Sequence, residues 1–254
     1  MSTRIYTCAE RPDLWERSDE EITGVWPTYN EQGDVLGEHW SRLDEDFREF
    51  QFILHDEDRD VAVAQGHSIP VSWDGAVGGL PKGIDGAISG AARLFDEGGE
   101  PNALSALAIE IPPEHQGAAR SRTMIGAMRG IAAAHGFADL IAPLRPTWKE
   151  RYPLTPIERY AFWTRKDGLP FDPWIRLHVR LGAEILQPVA RSMHITGTVA
   201  EWEEWTGTPF PESGTYVFPH GLATLEIDTA TDLGEYWEPN VWVRHRTAPA
   251  GDLA

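Results

Sequence analysis

The sequence is poor in cysteine, in basic residues and in long apolar runs, and each shortage excludes a class of protein. Cys8 is the single cysteine among 254 residues, so the chain forms neither an intramolecular disulfide nor a multi-cysteine zinc site. No apolar run is long enough to cross a bilayer, and the opening MSTRIYTCAERPD lacks the apolar core of a secretory signal. We therefore expect a cytoplasmic protein with no membrane partner.

Basic residues are outnumbered, with 22 Lys and Arg against 40 Asp and Glu, which gives a formal net charge of −18. Such a chain repels nucleic acid, so no nucleic-acid partner is expected. The same charge attracts a cationic small molecule, although an acidic surface can also serve solubility alone. The nine histidines show no His-x-x-x-His spacing, and no metal site is predicted. The oligomeric state is not determined by the sequence, and a homodimer stays open.

The most informative segment is residues 103–136, which reads as a buried strand, a turn of small residues and a helix. Met124, Met128 and Ile131 repeat at helical spacing, and Gly136 stands where a helix-ending glycine belongs. Backbone N–H groups at a helix start form an anion site, and the small side chains of residues 117–121 let a ligand approach them. The segment predicts a phosphate-bearing ligand. The alternative is a strand–turn–helix unit without a ligand.

The loop Gln116-Gly-Ala-Ala-Arg-Ser121 resembles the pyrophosphate loop of the GNAT superfamily, Gln/Arg-x-x-Gly-x-Gly/Ala. Ala119 and Ser121 stand in place of the two family glycines, and Ala tolerates a positive φ less well than Gly. No Gly-x-x-x-x-Gly-Lys-Ser/Thr or Gly-x-Gly-x-x-Gly pattern occurs in the chain. The resemblance implies that acetyl-CoA, or another acyl-CoA, is the co-substrate.

GNAT proteins carry a bulge in this strand that separates it from the next strand, and the pantetheine arm lies in the gap. If this chain is similar, Pro112-Pro113 would end the strand pairing there, because proline lacks an N–H donor. The cofactor-binding residues that the resemblance implies are Ile109, Ile111, Gln116, Gly117, Ala118, Ala119, Arg120, Ser121 and Arg122.

Glu110 is the candidate general base, because it is an acid on an apolar strand close to the expected thioester. The alternative is that strand alternation turns it outward to solvent. The family often places a Tyr after the following strand to protonate the leaving thiolate, and the spacing from Arg145 assigns this role to Tyr152, with Tyr160 as the second choice. Either tyrosine could instead be structural. His178 could serve a site, although the alternative is a partly exposed helical histidine.

The remaining pattern predicts an α/β protein with a GNAT-like mixed central sheet flanked by helices, and with N-terminal and C-terminal elaborations. We predict a single domain over 1–254, with a core at roughly 45–200 and a β-rich extension at 201–254. Asp172-Pro173 begins a helix that Gly182 ends, and a capping box at Thr198 opens another. Strands are predicted at 4–9, 50–54, 61–71, 137–144, 184–189, 192–196, 214–219, 223–228 and 240–246, and a further helix at 84–95.

These features favour an acyl-CoA-dependent N-acyltransferase that acts through a direct ternary complex and transfers an acetyl group to a small amine. The charge imbalance favours a cationic amine, and the Trp-rich acidic N-terminal segment would line its pocket. One alternative is a CoA-binding module without transferase activity, which the Ala119 and Ser121 replacements and the incomplete Tyr pattern favour. Another is an enzyme of the same fold with a longer acyl donor or a non-amine acceptor.

Overall fold

A computed structural model describes residues 2–247, and within them the strands form one mixed sheet. The order is β1-β2-β3-β4-β5-β9-β8-β7, and β6 pairs with the other edge of β9. The predicted class, a mixed central sheet flanked by helices, is confirmed. The strands are β1 (Thr3–Thr7), β2 (Phe52–Asp56), β3 (Val61–Val71), β4 (Ala103–Glu110), β5 (Asp139–Leu144), β6 (Glu184–Gly197), β7 (Gly214–Tyr216), β8 (Leu225–Asp228) and β9 (Leu233–Arg246).

Two of the helices begin at residues whose side chains cap them. Asp172 accepts the backbone N–H groups of Trp174 and Ile175, and the capping box between Thr198 and Glu201 is formed. None of the helices within residues 2–247 is long and apolar enough to span a membrane. They are α1 (Pro12–Glu21), α2 (Asp34–His39), α3 (Arg42–Glu45), α4 (Gly83–Asp96), α5 (Ala118–Ala134), α6 (Ile157–Tyr160), α7 (Pro173–Arg180) and α8 (Val199–Thr206).

Strands β4 and β5 run parallel but stay paired only at their start. Leu104 lies opposite Leu140 and Ser105 opposite Ile141, and the pairing ends there. A register shift in the β3–β4 ladder between Ser68 and His67 leaves Leu107 of β4 as an extra residue. The predicted bulge and separation of the two strands are therefore present. β4 ends at Glu110, and one residue, Ile111, separates it from the two prolines.

The C-terminal strand β9 lies inside the sheet. Its second half, 241–246, pairs with β5, its first half, 233–236, pairs with β8 on the same edge, and β6 covers the opposite edge. Segment 201–254, predicted as an extension beyond the core, thus supplies a central strand as far as Arg246. The prediction of a single domain stays a prediction, and residues 248–254 lie outside the described part.

Candidate active site

The separated strands open into a cleft of about 1240 Å³. One wall is the unpaired half of β4 (106–110) with the end of β5 (142–144), and another is the cleft-facing side of α7. Further lining comes from the first half of α5, from parts of the segment 24–40 and from two side chains of β9. Because β4 and β5 no longer pair here, backbone groups on their facing edges are available to a ligand.

The structure brings together about half of the residues predicted to bind the cofactor. In the cleft lining are Ile109, Ile111, Gln116, Gly117 and Ser121. The side chains of Arg120 and Arg122 are not part of this lining, because the Arg120 guanidinium donates to the backbone oxygen of His115 and Arg122 points to solvent. Ala118 and Ala119 form the first turn of α5, where only their backbone N–H groups could serve a ligand, and that role stays a prediction.

Glu110 lies in the cleft and does not face open solvent. Its side chain is 15% exposed, and its Oε1 accepts a hydrogen bond from Trp26 Nε1 at 2.9 Å. Burial raises the pKa of the Glu110 carboxyl, and the negative charges of Glu31 and Asp19 raise it further, against the Trp26 hydrogen bond that lowers it. Glu110 is thus a carboxylate that binds a proton more readily than an exposed one, as a general base requires.

His67 lies beside Glu110, with its Nε2 3.9 Å from Glu110 Oε1. Full burial lowers the pKa of His67 to about 3, so the imidazole is neutral at ordinary pH and the two groups are not an ion pair. The ring lies between Trp15 and Trp40, at centroid distances of 5.4 and 4.9 Å. His67 therefore supports the Glu110 side of the cleft without neutralising its charge.

The structure does not place Tyr152 with Glu110. Its ring is 37% exposed and packs on Trp163 at 5.0 Å, outside the cleft lining of the described residues. Tyr160 is buried beneath it, and its hydroxyl donates to Asp172 Oδ2 at 2.9 Å, where Asp172 also caps α7. Both tyrosines are thus part of an aromatic cluster under α7, and the assignment of the thiolate acid to Tyr152 has no support in its position.

An ion pair between the partly buried Arg145 and the buried Glu238 is part of the cleft lining, and sequence reasoning missed it. Arg145 follows β5 directly and donates to Glu238, to the hydroxyl of Tyr29 at 2.8 Å and to the backbone oxygen of His220 at 2.8 Å. Glu238 on β9 also accepts the hydroxyl of Tyr236. An arginine at the end of a buried strand was the available signal, but its partner comes from the far end of the chain.

Three side chains of the N-terminal segment join Glu110 around one end of the cleft: Trp26, Glu31 and Trp40. Their segment reaches the cleft because α2 packs against α4 and β6. Aromatic faces and carboxylates together attract an organic cation. This end of the cleft is called the aromatic–acidic end below.

The α7 wall of the cleft includes a histidine, His178. His178 is buried rather than partly exposed, and it is part of the lining. Its Nδ1 lies 2.9 Å from Nε2 of His245 on β9. Burial lowers the pKa of both rings, in His245 to about 4, with the positive charge of Arg129 adding to the effect on His245. Both imidazoles are therefore neutral at ordinary pH.

No family model matches the sequence. The chain is similar to the arginine N-acetyltransferase avaD of Aspergillus versicolor, with 29% identity over 278 aligned residues that cover 95% of this chain and 93% of that protein. Its fold is similar to the loading GNATL domain of CurA from Lyngbya majuscula, with a TM-score of 0.57 and 16% identity over 97% of this chain and 98% of that one. It is also similar to the GphF GNAT-like decarboxylase, solved with isobutyryl-CoA, with a TM-score of 0.55 and 15% identity over 98% of this chain and 100% of that one. At these identities the two solved structures establish a shared fold alone.

Proposed function

We propose that this chain is an acyltransferase of the GNAT superfamily that transfers the acetyl group of acetyl-CoA to a nitrogen of arginine or of a similar cationic acceptor. The observation that carries the proposal is Glu110, a largely buried carboxylate on the separated strand β4 that Trp26 holds in the cleft. A base at this position can deprotonate an amine next to a thioester in the same cleft.

The separated strands support an acyl-CoA as the co-substrate. The pantetheine arm would lie along the unpaired edge of β4, at residues 106–110, and the backbone there would polarise the thioester carbonyl. Gln116, Gly117 and Ser121 line the cleft where α5 begins, so the pyrophosphate would meet the backbone N–H groups of the first turn. A longer acyl donor is compatible with the same groups.

The aromatic–acidic end supports a cationic acceptor. Glu110 and Glu31 supply negative charge, and Trp26 and Trp40 supply ring faces for a guanidinium or ammonium group. A formal net charge of −18 also favours the approach of a cation. Arginine, the acceptor in the name of the Aspergillus relative, has this chemistry, and the similarity to that relative covers nearly the whole chain.

The mechanism we propose is direct attack within a ternary complex. Glu110 takes a proton from the acceptor nitrogen, directly or through one water, and the nitrogen attacks the carbonyl carbon of the thioester. Collapse of the tetrahedral intermediate breaks the C–S bond and leaves the electron pair on sulfur. Cys8, the single cysteine, is buried at the end of β1 and is not part of the cleft lining, so it is not placed to form an acyl-enzyme.

The experiment is a titration followed by an acceptor panel. Binding of acetyl-CoA and CoA is measured by calorimetry, and free thiol release is then followed with arginine, Nα-blocked arginine, agmatine and an uncharged amine. Thiol release with the cationic acceptors, and none with the uncharged amine, is expected. Binding without thiol release across the panel would favour a CoA-binding module instead, and no binding of either CoA species would contradict the proposal.

A further inference from the structure

Arg145 has one guanidinium nitrogen that the protein itself does not use. Its Nε donates to Glu238, and its Nη2 donates to the hydroxyl of Tyr29 and to the backbone oxygen of His220. Nη1 has no hydrogen-bond partner among the described residues, and it is not one of their buried unpaired atoms. Because Arg145 is part of the cleft lining with 19% of its side chain exposed, Nη1 is the donor that it presents to a ligand.

The rest of the guanidinium is fixed by buried partners. Glu238 is buried and also accepts the hydroxyl of Tyr236. Tyr29 is buried as well, and its hydroxyl donates to the same backbone oxygen of His220 that Arg145 contacts. A planar guanidinium held in this way loses little freedom when it binds a ligand, so its free N–H groups are preorganised.

Arg145 and Glu110 lie at the same level, at the ends of the two separated strands. The last pair between β4 and β5 is Ser105 with Ile141. Arg145 follows that pair by four residues, and Glu110 follows it by five, of which one is the bulged residue of β4. The two side chains therefore stand on opposite sides of the gap between the strands.

The N-terminal segment connects these two side chains. Trp26 donates to Glu110 at 2.9 Å, and the hydroxyl of Tyr29, three residues later, accepts from Arg145 at 2.8 Å. Three residues of chain extend over at most about 10 Å. Glu110 and Arg145 are thus tied to one short stretch of the segment that lines the aromatic–acidic end.

We propose that Arg145 is a specificity-determining residue that binds the α-carbonyl oxygen of the acceptor, whether that oxygen belongs to a free carboxylate or to an amide. This rests on the proposed function and adds a second contact to it. The ammonium and guanidinium groups of arginine only donate hydrogen bonds, so the carbonyl end is the part that can pair with Nη1. Because Glu238 already balances the charge of Arg145, a neutral carbonyl oxygen suffices as the partner.

Selection of the acceptor by charge alone predicts the opposite preference. Agmatine is arginine without its carboxylate, so it carries one more positive net charge. Glu31, Glu110 and Glu150 line the cleft, and the formal net charge of the chain is −18, so charge alone favours agmatine over arginine. A contact between Arg145 and the carbonyl oxygen favours the compounds that keep this oxygen.

The test measures binding by calorimetry to the wild type in the presence of CoA, which has no acyl group to transfer. Arginine amide and agmatine have the same charge at about pH 6, and agmatine lacks the carbonyl oxygen. Agmatine is expected to bind about 10- to 100-fold more weakly than arginine amide, the effect of one hydrogen bond from a charged donor. If arginine alone binds more tightly than agmatine, the oxygen is that of the carboxylate. Agmatine that binds as tightly as both other compounds would overturn the inference.

Variants assign this difference to Arg145. Arg145→Lys keeps a charge beside Glu238 but removes the forked guanidinium, and the difference is expected to shrink to within about threefold. Tyr29→Phe, which removes one hydroxyl that holds the guanidinium, is expected to reduce the difference in part. Arg159→Lys changes an exposed arginine outside the cleft lining and is expected to leave the difference unchanged. An undiminished difference in folded Arg145→Lys, or in Tyr29→Phe where Arg145→Lys does not fold, would overturn the inference.

The thiol-release assay separates this inference from the proposed function. A wild type that binds the three compounds in the expected order but releases no thiol from acetyl-CoA would contradict the proposed function alone. Thiol release with a KM for agmatine as low as those for arginine and arginine amide would overturn the inference alone. A wild type that binds none of the three compounds would overturn both.

Discussion

Replacing Glu110 by glutamine separates catalysis from folding. The substitution keeps the shape of the side chain and leaves an oxygen to accept the Trp26 hydrogen bond, but it removes the site that takes the proton. A general base contributes about 100- to 10,000-fold, so kcat is expected to fall by that factor, which is about 3 to 5 kcal/mol of transition-state stabilisation. The fall is measured as thiol release at saturating acetyl-CoA with arginine.

Although kcat is expected to fall, the stability of Glu110→Gln is expected to equal or exceed that of the wild type. Burial raises the pKa of Glu110 in the folded state above its unfolded value, so the folded state favours the protonated acid. The ionised carboxylate therefore reduces stability as the pH rises above the unfolded pKa, and a neutral glutamine removes that loss. The melting temperature of Glu110→Gln at neutral pH is expected to equal or exceed that of the wild type, as measured by calorimetry.

The pH dependence and a matched control complete the test. The wild-type rate is expected to fall on the acid side as Glu110 becomes protonated, and this limb is expected to be absent from the residual rate of Glu110→Gln. Glu114→Gln, which neutralises an exposed acid in the following loop, is expected to leave kcat unchanged. A folded Glu110→Gln with kcat within tenfold of the wild type, or with the same acid limb, would refute the assignment of Glu110 as the base.

Three other predictions test the cleft and the aromatic cluster outside it. Ser121→Glu places a negative charge at the start of α5 inside the cleft. It is expected to raise the KM for acetyl-CoA about tenfold or more without lowering the melting temperature. Thr123→Glu, exposed on the same helix, is the control and is expected to leave this KM unchanged. Equal KM values for the two would count against a pyrophosphate at this site. Trp26→Phe removes the hydrogen bond that lowers the pKa of Glu110, so the acid limb of the pH–rate profile is expected to move up by about one pH unit, and a downward shift would contradict the electrostatics. Tyr152→Phe is expected to keep kcat within about twofold in the thiol-release assay, and a large fall would restore the tyrosine as the thiolate acid.

Local sequence signals predicted the elements around the cofactor end of the cleft. The helix spacing of Met124 and Met128 and the glycine at 136, which has a φ of 76°, gave the position and end of α5. Pro112-Pro113 indicated where β4 ends, and Asp172-Pro173 where α7 begins. Each of these features depends on neighbours within a few residues, so the chain carries the information locally.

Strand pairing between residues far apart in the chain accounts for the differences between the predicted strands and those in the structure. The sequence analysis predicted the last strand at 240–246 alone, and a proline precedes it at position 239, a residue that normally interrupts a strand. In the structure β9 continues through it, since Pro239 lies between the stretches that pair with β8 and β5 and at the register shift opposite Val189–Met193 of β6. Its missing N–H is thus not needed on either edge.

The candidate site was predictable on one side only. Glu110 followed from an acid on an apolar strand, which is a property of a single segment. The burial of His178 depends on His245, and the position of Arg145 depends on Glu238, and both partners come from the last strand. Tyr152 had the right spacing along the chain, but the aromatic cluster with Tyr160 holds it away from the cleft.

The most direct test of the central claim is a stoichiometric reaction of the wild-type protein with acetyl-CoA and arginine. Free thiol and product are quantified in the same samples, the product by mass spectrometry. The account predicts one acetylated arginine for each thiol released, with intersecting lines when both substrates are varied, because the transfer occurs in a ternary complex. Thiol release without acetylated arginine, or parallel lines that indicate an acyl-enzyme, would contradict it.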